Sequence, residues 1–197
     1  MKFFIEIGSA DFDTLIPLAE KGWSGVFIEP VETLAQNLIQ KIKEKKLKNV
    51  KVFNYAISGS DGEVEMAQVT DFHWEGEQNW ARGVSHISKG NTRGRCLLET
   101  VNDVLARTYK NTKCQSLNSL VEHLENSKVC GFDGKIDFLR VDAEGHELDI
   151  IEPYNWKIKP SLIKVEHAHC DLDGVTDTLR KEGYFTLLEE YDVYGIL

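Results

Sequence analysis

Three short apolar runs, Phe3 to Ile7, Gly25 to Ile28 and Val50 to Ile57, are separated by two stretches of helical character. This alternation narrows the possible folds more than any other feature of the chain. Short unbroken apolar runs are what strands buried on both faces look like. In the first intervening stretch, Asp13 or Thr14 is placed to cap a helix running to about Lys21. Pro17 falls in its first turn, where a missing N–H does little harm, and Gly22 supplies a stop. In the second, Leu34, Leu38, Ile39 and Ile42 form one stripe backed by a lysine-rich face. Strand, helix, strand, helix, strand is the signature of a parallel sheet with crossover helices. The alternation returns later, with a strand at Ile136 to Val141, a short helix from Glu147 to Glu152, a strand at Ser161 to Val165 and a helix from Gly174 to Lys181. Phe185 to Leu188 and Tyr191 to Ile196 read as a closing antiparallel pair. The expectation is an α/β, Rossmann-like domain spanning 1–197, with a central, mostly parallel seven-stranded sheet flanked by helices.

Between these two halves the chain changes character. Glu63 to Val69 alternates apolar and polar as a half-exposed strand does, after a turn at Ser58 to Gly62. From Thr70 to about Gly94 the sequence is polar and aperiodic, which predicts an irregular insertion after the third strand, roughly 66–117. Loops that long inside a compact domain are usually functional or disordered. Strand-like pieces near Cys96 to Val101 and Lys113 to Leu117 flank it, and Leu117, Leu120, Val121 and Leu124 then predict a helix.

Bulk properties exclude some classes. A formal net charge of −9 disfavours nucleic acid and anionic membranes as partners. Cys96, Cys114, Cys130 and Cys170 are scattered without C-x-x-C spacing, so a reduced compartment is the simpler account. The opening apolar run is broken at Glu6, too soon for a signal peptide, and no stretch is long enough to span a bilayer. A cytoplasmic protein acting on a small molecule is expected.

In open parallel sheets, ligands bind outside the carboxyl ends of the strands. Here those ends carry acids: Glu6 before Gly8, then Glu29, Asp142 and Glu166-His167. A carboxylate about 20 residues beyond a glycine turn is the expected acceptor for ribose hydroxyls, and Glu29 stands there. Nicotinamide dinucleotides and S-adenosylmethionine both carry such a ribose. The turn has one glycine, and Asp11, Phe12 and Asp13 crowd it with bulk and negative charge. A pyrophosphate would be repelled, whereas a sulfonium and an ammonium suit carboxylates.

Five blocks carry a resemblance. Glu6-Ile7-Gly8-Ser9 with Asp13-Thr14, Phe27 to Pro30, Asn54 to Ser58 with Gly62, Ile136 to Glu147 with its D-x-E-G-x-E, and Ile163 to Glu166 look like the FkbM-type methyltransferases. The blocks run in order over nearly the whole chain, and D-x-E-G-x-E is the most specific. The resemblance implies a class I methyltransferase fold, S-adenosylmethionine as methyl donor, and O-methylation of a sugar or other small molecule. It implies that Glu6, Gly8, Ser9 and Asp13 line the methionine end of the donor. Glu29 would hold the ribose, Ala56 and Ile57 would border the adenine, and Asp142 would sit beside the methyl group with Glu144 near the acceptor. Phe12 stands where many members have a second glycine. The chain also begins directly on the first strand, without the N-terminal extension of many members, which makes 71–91 the candidate cover for the pocket.

Methyl transfer needs a base for the acceptor hydroxyl, and Asp142, Glu144, Glu166 and His167 are the candidates by location, with the pair Asp142 and Glu144 favoured. Trp80, Arg82 and His86, with Trp74, sit in the insertion and suit a sugar ring; with Glu166 the first three make the expected acceptor site. His167-Ala168-His169 with Cys170 and Asp171 invites a metal reading, but the spacing matches no strong zinc pattern and no metal is expected. A nicotinamide-dependent oxidoreductase and a non-catalytic binding module are the alternatives.

Overall fold

The computed structural model describes residues 1–12, 14–69, 85–88 and 107–197. β1 (Phe3–Ile7) leads into α1 (Ile16–Glu20), β2 (Ser24–Ile28), α2 (Glu32–Glu44) and β3 (Val50–Phe53). Then come β4 (Ala56–Ser58), β5 (Gly62–Val69), β6 (His86–Ile87) and β7 (Arg107–Ser116). The chain closes with α3 (Leu117–Ser127), β8 (Phe138–Val141), α4 (Glu147–Ile151), β9 (Leu162–Glu166), α5 (Leu172–Lys181), β10 (Phe185–Leu188) and β11 (Asp192–Ile196).

Seven of these strands form one sheet in the order β10-β11-β9-β8-β1-β2-β3. It is mixed rather than purely parallel: β1, β2, β3, β8 and β9 pair in parallel, and β11 runs antiparallel to both β9 and β10. The expected closing hairpin accounts for β11, because two consecutive strands joined by a tight turn can pair only antiparallel. Strand order reverses between β1 and β8. That switch opens a crevice at the carboxyl ends of the central strands.

The strands bury alternate residues on opposite faces. Phe3, Ile5, Ile7, Leu139 and Val141 pack with α3, α4 and α5 in one core. Phe4 and Phe27, with ring centroids 5.1 Å apart, pack with Ile16, Ala19, Leu38 and Ile42 in the other. The α3 stripe is buried as the sequence predicts. In α2, Ala35 takes the buried place that the sequence gives to Ile39, which is exposed: next after Leu38, it is turned about 100° away on the helix.

Three expectations change. The run from Val50 to Ile57 is two strands in two sheets. The Asn54 side-chain amide donates to the backbone oxygens of Glu29 (2.8 Å) and Pro30 (3.1 Å), and beyond it Ala56 pairs with Cys114 instead of continuing beside β2. The described part of the insertion pairs in a second sheet, β4-β7-β5-β6, in which β7 begins at Arg107, earlier than the expected piece at Lys113; most of the aperiodic stretch 70–94 and the strand-like piece at 96–101 lie outside the described residues. The first helix begins at Ile16, whose N–H is accepted by Thr14 Oγ1 at 3.3 Å, while Asp13 lies outside the described residues. Among the described residues Cys114, Cys130 and Cys170 are free thiols, and no helix is long and apolar enough to cross a membrane.

Candidate active site

The turn after β1 is built by steric necessity. Gly8 has φ +76°, and a Cβ there would lie 1.6 Å from the backbone oxygen of Asp142. Only glycine allows β1 and β8 to run out so close together. The N–H groups of Gly8 and Ser9 both donate to Ile28 O, and Ser9 Oγ donates to Glu6 O at 3.2 Å, which folds the turn back onto β2.

Glu29 follows β2 with its carboxylate buried. One oxygen accepts the Ala10 N–H and the other the Val31 N–H, each at 2.7 Å. The residue thus clamps the β1 turn to the start of α2. A carboxylate has about four acceptor sites, so each oxygen keeps capacity for a further donor. Burial pushes its pKa up from 4.5 to about 7, against the pull of those two backbone bonds.

The D-x-E-G-x-E block is a turn held from within. The Glu147 carboxylate, buried at the start of α4, accepts the N–H groups of Ala143 (2.7 Å) and Gly145 (3.0 Å). Gly145 has φ +96°, and a Cβ there would approach His169 O to 3.0 Å, so the turn packs tightly against the segment after β9. Glu144 itself adopts φ +53°, a conformation costly for a side-chain-bearing residue and found where function demands it.

These elements enclose a cavity of about 320 Å³, within the range of small-molecule sites. Gly8, Ser9, Ile28 and Glu29 form one side. The second sheet contributes the apolar Ala56, Ile57 and Met66 together with His86. Asp142, Glu144, Glu166 and His169 form the acidic end. Most residues singled out from the sequence therefore meet here: Gly8, Ser9, Glu29, Ala56, Ile57, Asp142, Glu144, His86 and Glu166.

Two do not. Glu6 lies within β1 rather than at its tip, so its side chain goes to the sheet face. It is fully buried, accepting Arg140 Nη1 at 3.0 Å and the Leu15 N–H at 2.9 Å. His167 follows β9 but turns away from the cavity, with its ring against Glu189 O at 3.3 Å. Asp13, Trp80 and Arg82 lie outside the described residues, as does Trp74. The sequence reading missed Arg140, whose guanidinium bridges Glu6 and, at 3.0 Å, Asp142, and it did not include His169 in the site. The clue for Arg140 was a cation inside an otherwise apolar central strand.

Electrostatically the acidic end is crowded. Burial, then the neighbouring Asp142, pushes Glu166 to about 8. Burial, then Glu166 and Asp142, pushes Glu144 well above the usual carboxylate range. Burial also raises Asp142, with Arg140 opposing it. Glu147 rises to about 7 by burial. Such an end attracts cations.

The FkbM methyltransferase domain family matches residues 6–186, from inside β1 to inside β10. The chain belongs to this family. The matched span holds the glycine turn, Glu29 and the whole 142–147 block, so the cavity is the FkbM domain's own. Among solved structures, a precorrin-6y C5,15-methyltransferase from Geobacter metallireducens is similar at 11% identity and TM-score 0.46, covering 100% of this chain and 81% of that one. A SAM-dependent methyltransferase from Aquifex aeolicus is similar at 10% identity and TM-score 0.41, covering 98% and 80%. No curated protein sequence matches the chain.

Proposed function

We propose that this FkbM domain binds S-adenosylmethionine in the cavity at the strand ends and methylates a hydroxyl of a small acceptor, such as a sugar. The observation that carries the reading is a site-sized cavity lined by four carboxylates, Glu29, Asp142, Glu144 and Glu166, together with the apolar side chains of Ile28, Ala56, Ile57 and Met66. The donor set fits the methyl donor, since a sulfonium and an ammonium are stabilised by carboxylates and a ribose by a buried acceptor. A dinucleotide's pyrophosphate would meet like charge at the same end.

Each residue then has a task. Glu29, fixed by its two backbone bonds, offers its remaining acceptor sites to ribose hydroxyls. Ile28, Ala56 and Ile57 give the adenine an apolar seat and keep water out. The backbone of Gly8 and Ser9 meets the amino-acid end, because Gly8 has no side chain and the Ser9 hydroxyl folds back onto Glu6 O. Bound there, the donor supplies an electrophilic methyl group. Asp142 and Glu144 face the acceptor, and one of the pair takes its hydroxyl proton, while Arg140 keeps the Asp142 carboxylate oriented. His86 and Glu166 border the acceptor, and the net charge of −9 favours a neutral or cationic one.

S-adenosylhomocysteine tests this directly. It should stabilise the protein by about 3 kcal/mol at a hundredfold excess over Kd in a thermal-shift assay, whereas NAD should not. Glu29→Ala should weaken that binding by about 1–3 kcal/mol. Absence of any shift in the unmutated protein would refute the reading. Methyl transfer to nitrogen or carbon acceptors alone would refute its hydroxyl part.

A further inference from the structure

Glu144, Glu166 and His169 each present one ligand atom to the cavity, and the three atoms lie within 4.8 Å of one another. We propose that they form a site for a divalent transition cation, which holds the acceptor oxygen for the methyl transfer proposed above. The inference rests on that reading for the cation's role, and on the three side chains for its existence.

Three observations support it. First, the donors come from separate segments that the fold brings together: Glu144 from the turn after β8, Glu166 from the end of β9 and His169 from the loop beyond. Gly145 makes this possible, because a side chain there would press on His169 O. Second, the groups are not satisfied by each other. His169 Nε2 and Glu144 Oε2 are 3.8 Å apart, too far for a hydrogen bond, and Glu166 Oε2 is shut off from solvent with only the like-charged Asp142 carboxyl for company. A buried carboxylate oxygen without a donor is costly unless something charged is meant to meet it. Third, Glu144 is held in its left-handed conformation by the Glu147 clamp on either side, at Ala143 and Gly145. The turn therefore aims that carboxylate inward before any ligand arrives.

The geometry is within reach of coordination. A cation about 2.1 Å from each ligand atom needs those atoms roughly 3–4 Å apart, so a small rotamer adjustment closes the set. Two carboxylates and one imidazole suit Mn²⁺, Fe²⁺ or Zn²⁺ better than the all-oxygen cages preferred by Ca²⁺ and Mg²⁺. Three protein ligands leave coordination positions open to the cavity. An acceptor hydroxyl bound there is polarised and loses its proton more readily, and Asp142, outside the ligand set, remains to take it.

The test is titration of the full chain with MnCl₂, following the paramagnetic resonance signal of free Mn²⁺, in the unmutated protein, Glu166→Gln and His169→Ala. Melting shifts with S-adenosylhomocysteine, run in parallel, report whether each variant keeps its cavity. One saturable Mn²⁺ site per chain is expected, weakened by about tenfold or more in each variant, since even outer-shell partners of a metal are worth that much. No saturable site in the unmutated protein, or a site equally tight in both variants, overturns the proposal. If the homocysteine shift persists while Mn²⁺ fails to bind, only the cation falls. If Mn²⁺ binds and the shift is missing, the cation site stands and the methyltransferase reading falls.

Discussion

At the scale of single residues, Gly8 is the least replaceable position in the site. Its φ of +76° and the Asp142 oxygen beneath it leave no room for a Cβ. Gly8→Ala should cost at least about 1–3 kcal/mol of stability, because both the backbone and the β1–β8 spacing must shift. It should also weaken S-adenosylhomocysteine binding by about tenfold or more. Urea unfolding and calorimetric titration would measure the two, and a variant with unchanged affinity would separate the turn from the ligand. Glu29 illustrates how far a residue can be read before its fold is known. Its place beyond a glycine turn makes it the expected ribose acceptor, yet the bonds from Ala10 and Val31 depend on how the β1 turn meets α2.

Among the elements, the pairing of β1 with β8 carries an unusual load. Register sets Glu6 directly beside Arg140, and Arg140 bridges onward to Asp142, so three charges are built into the centre of the sheet. Removing one partner of a buried ion pair strands the other, at a cost of about 3–5 kcal/mol. Glu6→Ala should therefore lower the urea midpoint strongly, and the freed Leu15 N–H should loosen the entry to α1. A stability loss below about 1 kcal/mol would mean the network is not structural. The family resemblance implied that Glu6, in the block from Glu6 to Ser9, lines the methionine end of the donor. Strand periodicity puts it on the face with Phe4, and nothing in the sequence names Arg140 as its neighbour.

For the molecule as a whole, buried acids make stability depend on pH in a definite direction. Burial raises Glu29 and Glu147 from 4.5 to about 7 in the folded state. Between those values the folded chain holds more protons than the unfolded one, so these two groups make stability fall as pH rises to about 7, and Glu166, raised to about 8, carries the fall beyond it. Calorimetry of the ligand-free protein should show the melting temperature declining from about pH 4.5 to about pH 7. A melting temperature that climbs across that window would contradict the burial of these two groups. A cationic ligand favours the ionised carboxyls, so its stabilising effect should grow across the same interval.

The order of strands and helices, the closing hairpin, the α3 stripe and the acids near the strand ends were legible from sequence alone, because they follow from short-range periodicity and from turn chemistry. The family, too, could be read from ordered local blocks. Tertiary structure decided the rest. It divided the run at 50–57 between two sheets, through an Asn54 side chain bonded to a distant backbone. It moved Glu6 from the ligand to the sheet interior and turned His167 outward. It brought His169 against Glu144, two residues separated by a helix and a strand. Local patterns report which way a side chain faces along its own element, but neighbours supplied by register and loop packing are set only when the whole chain closes.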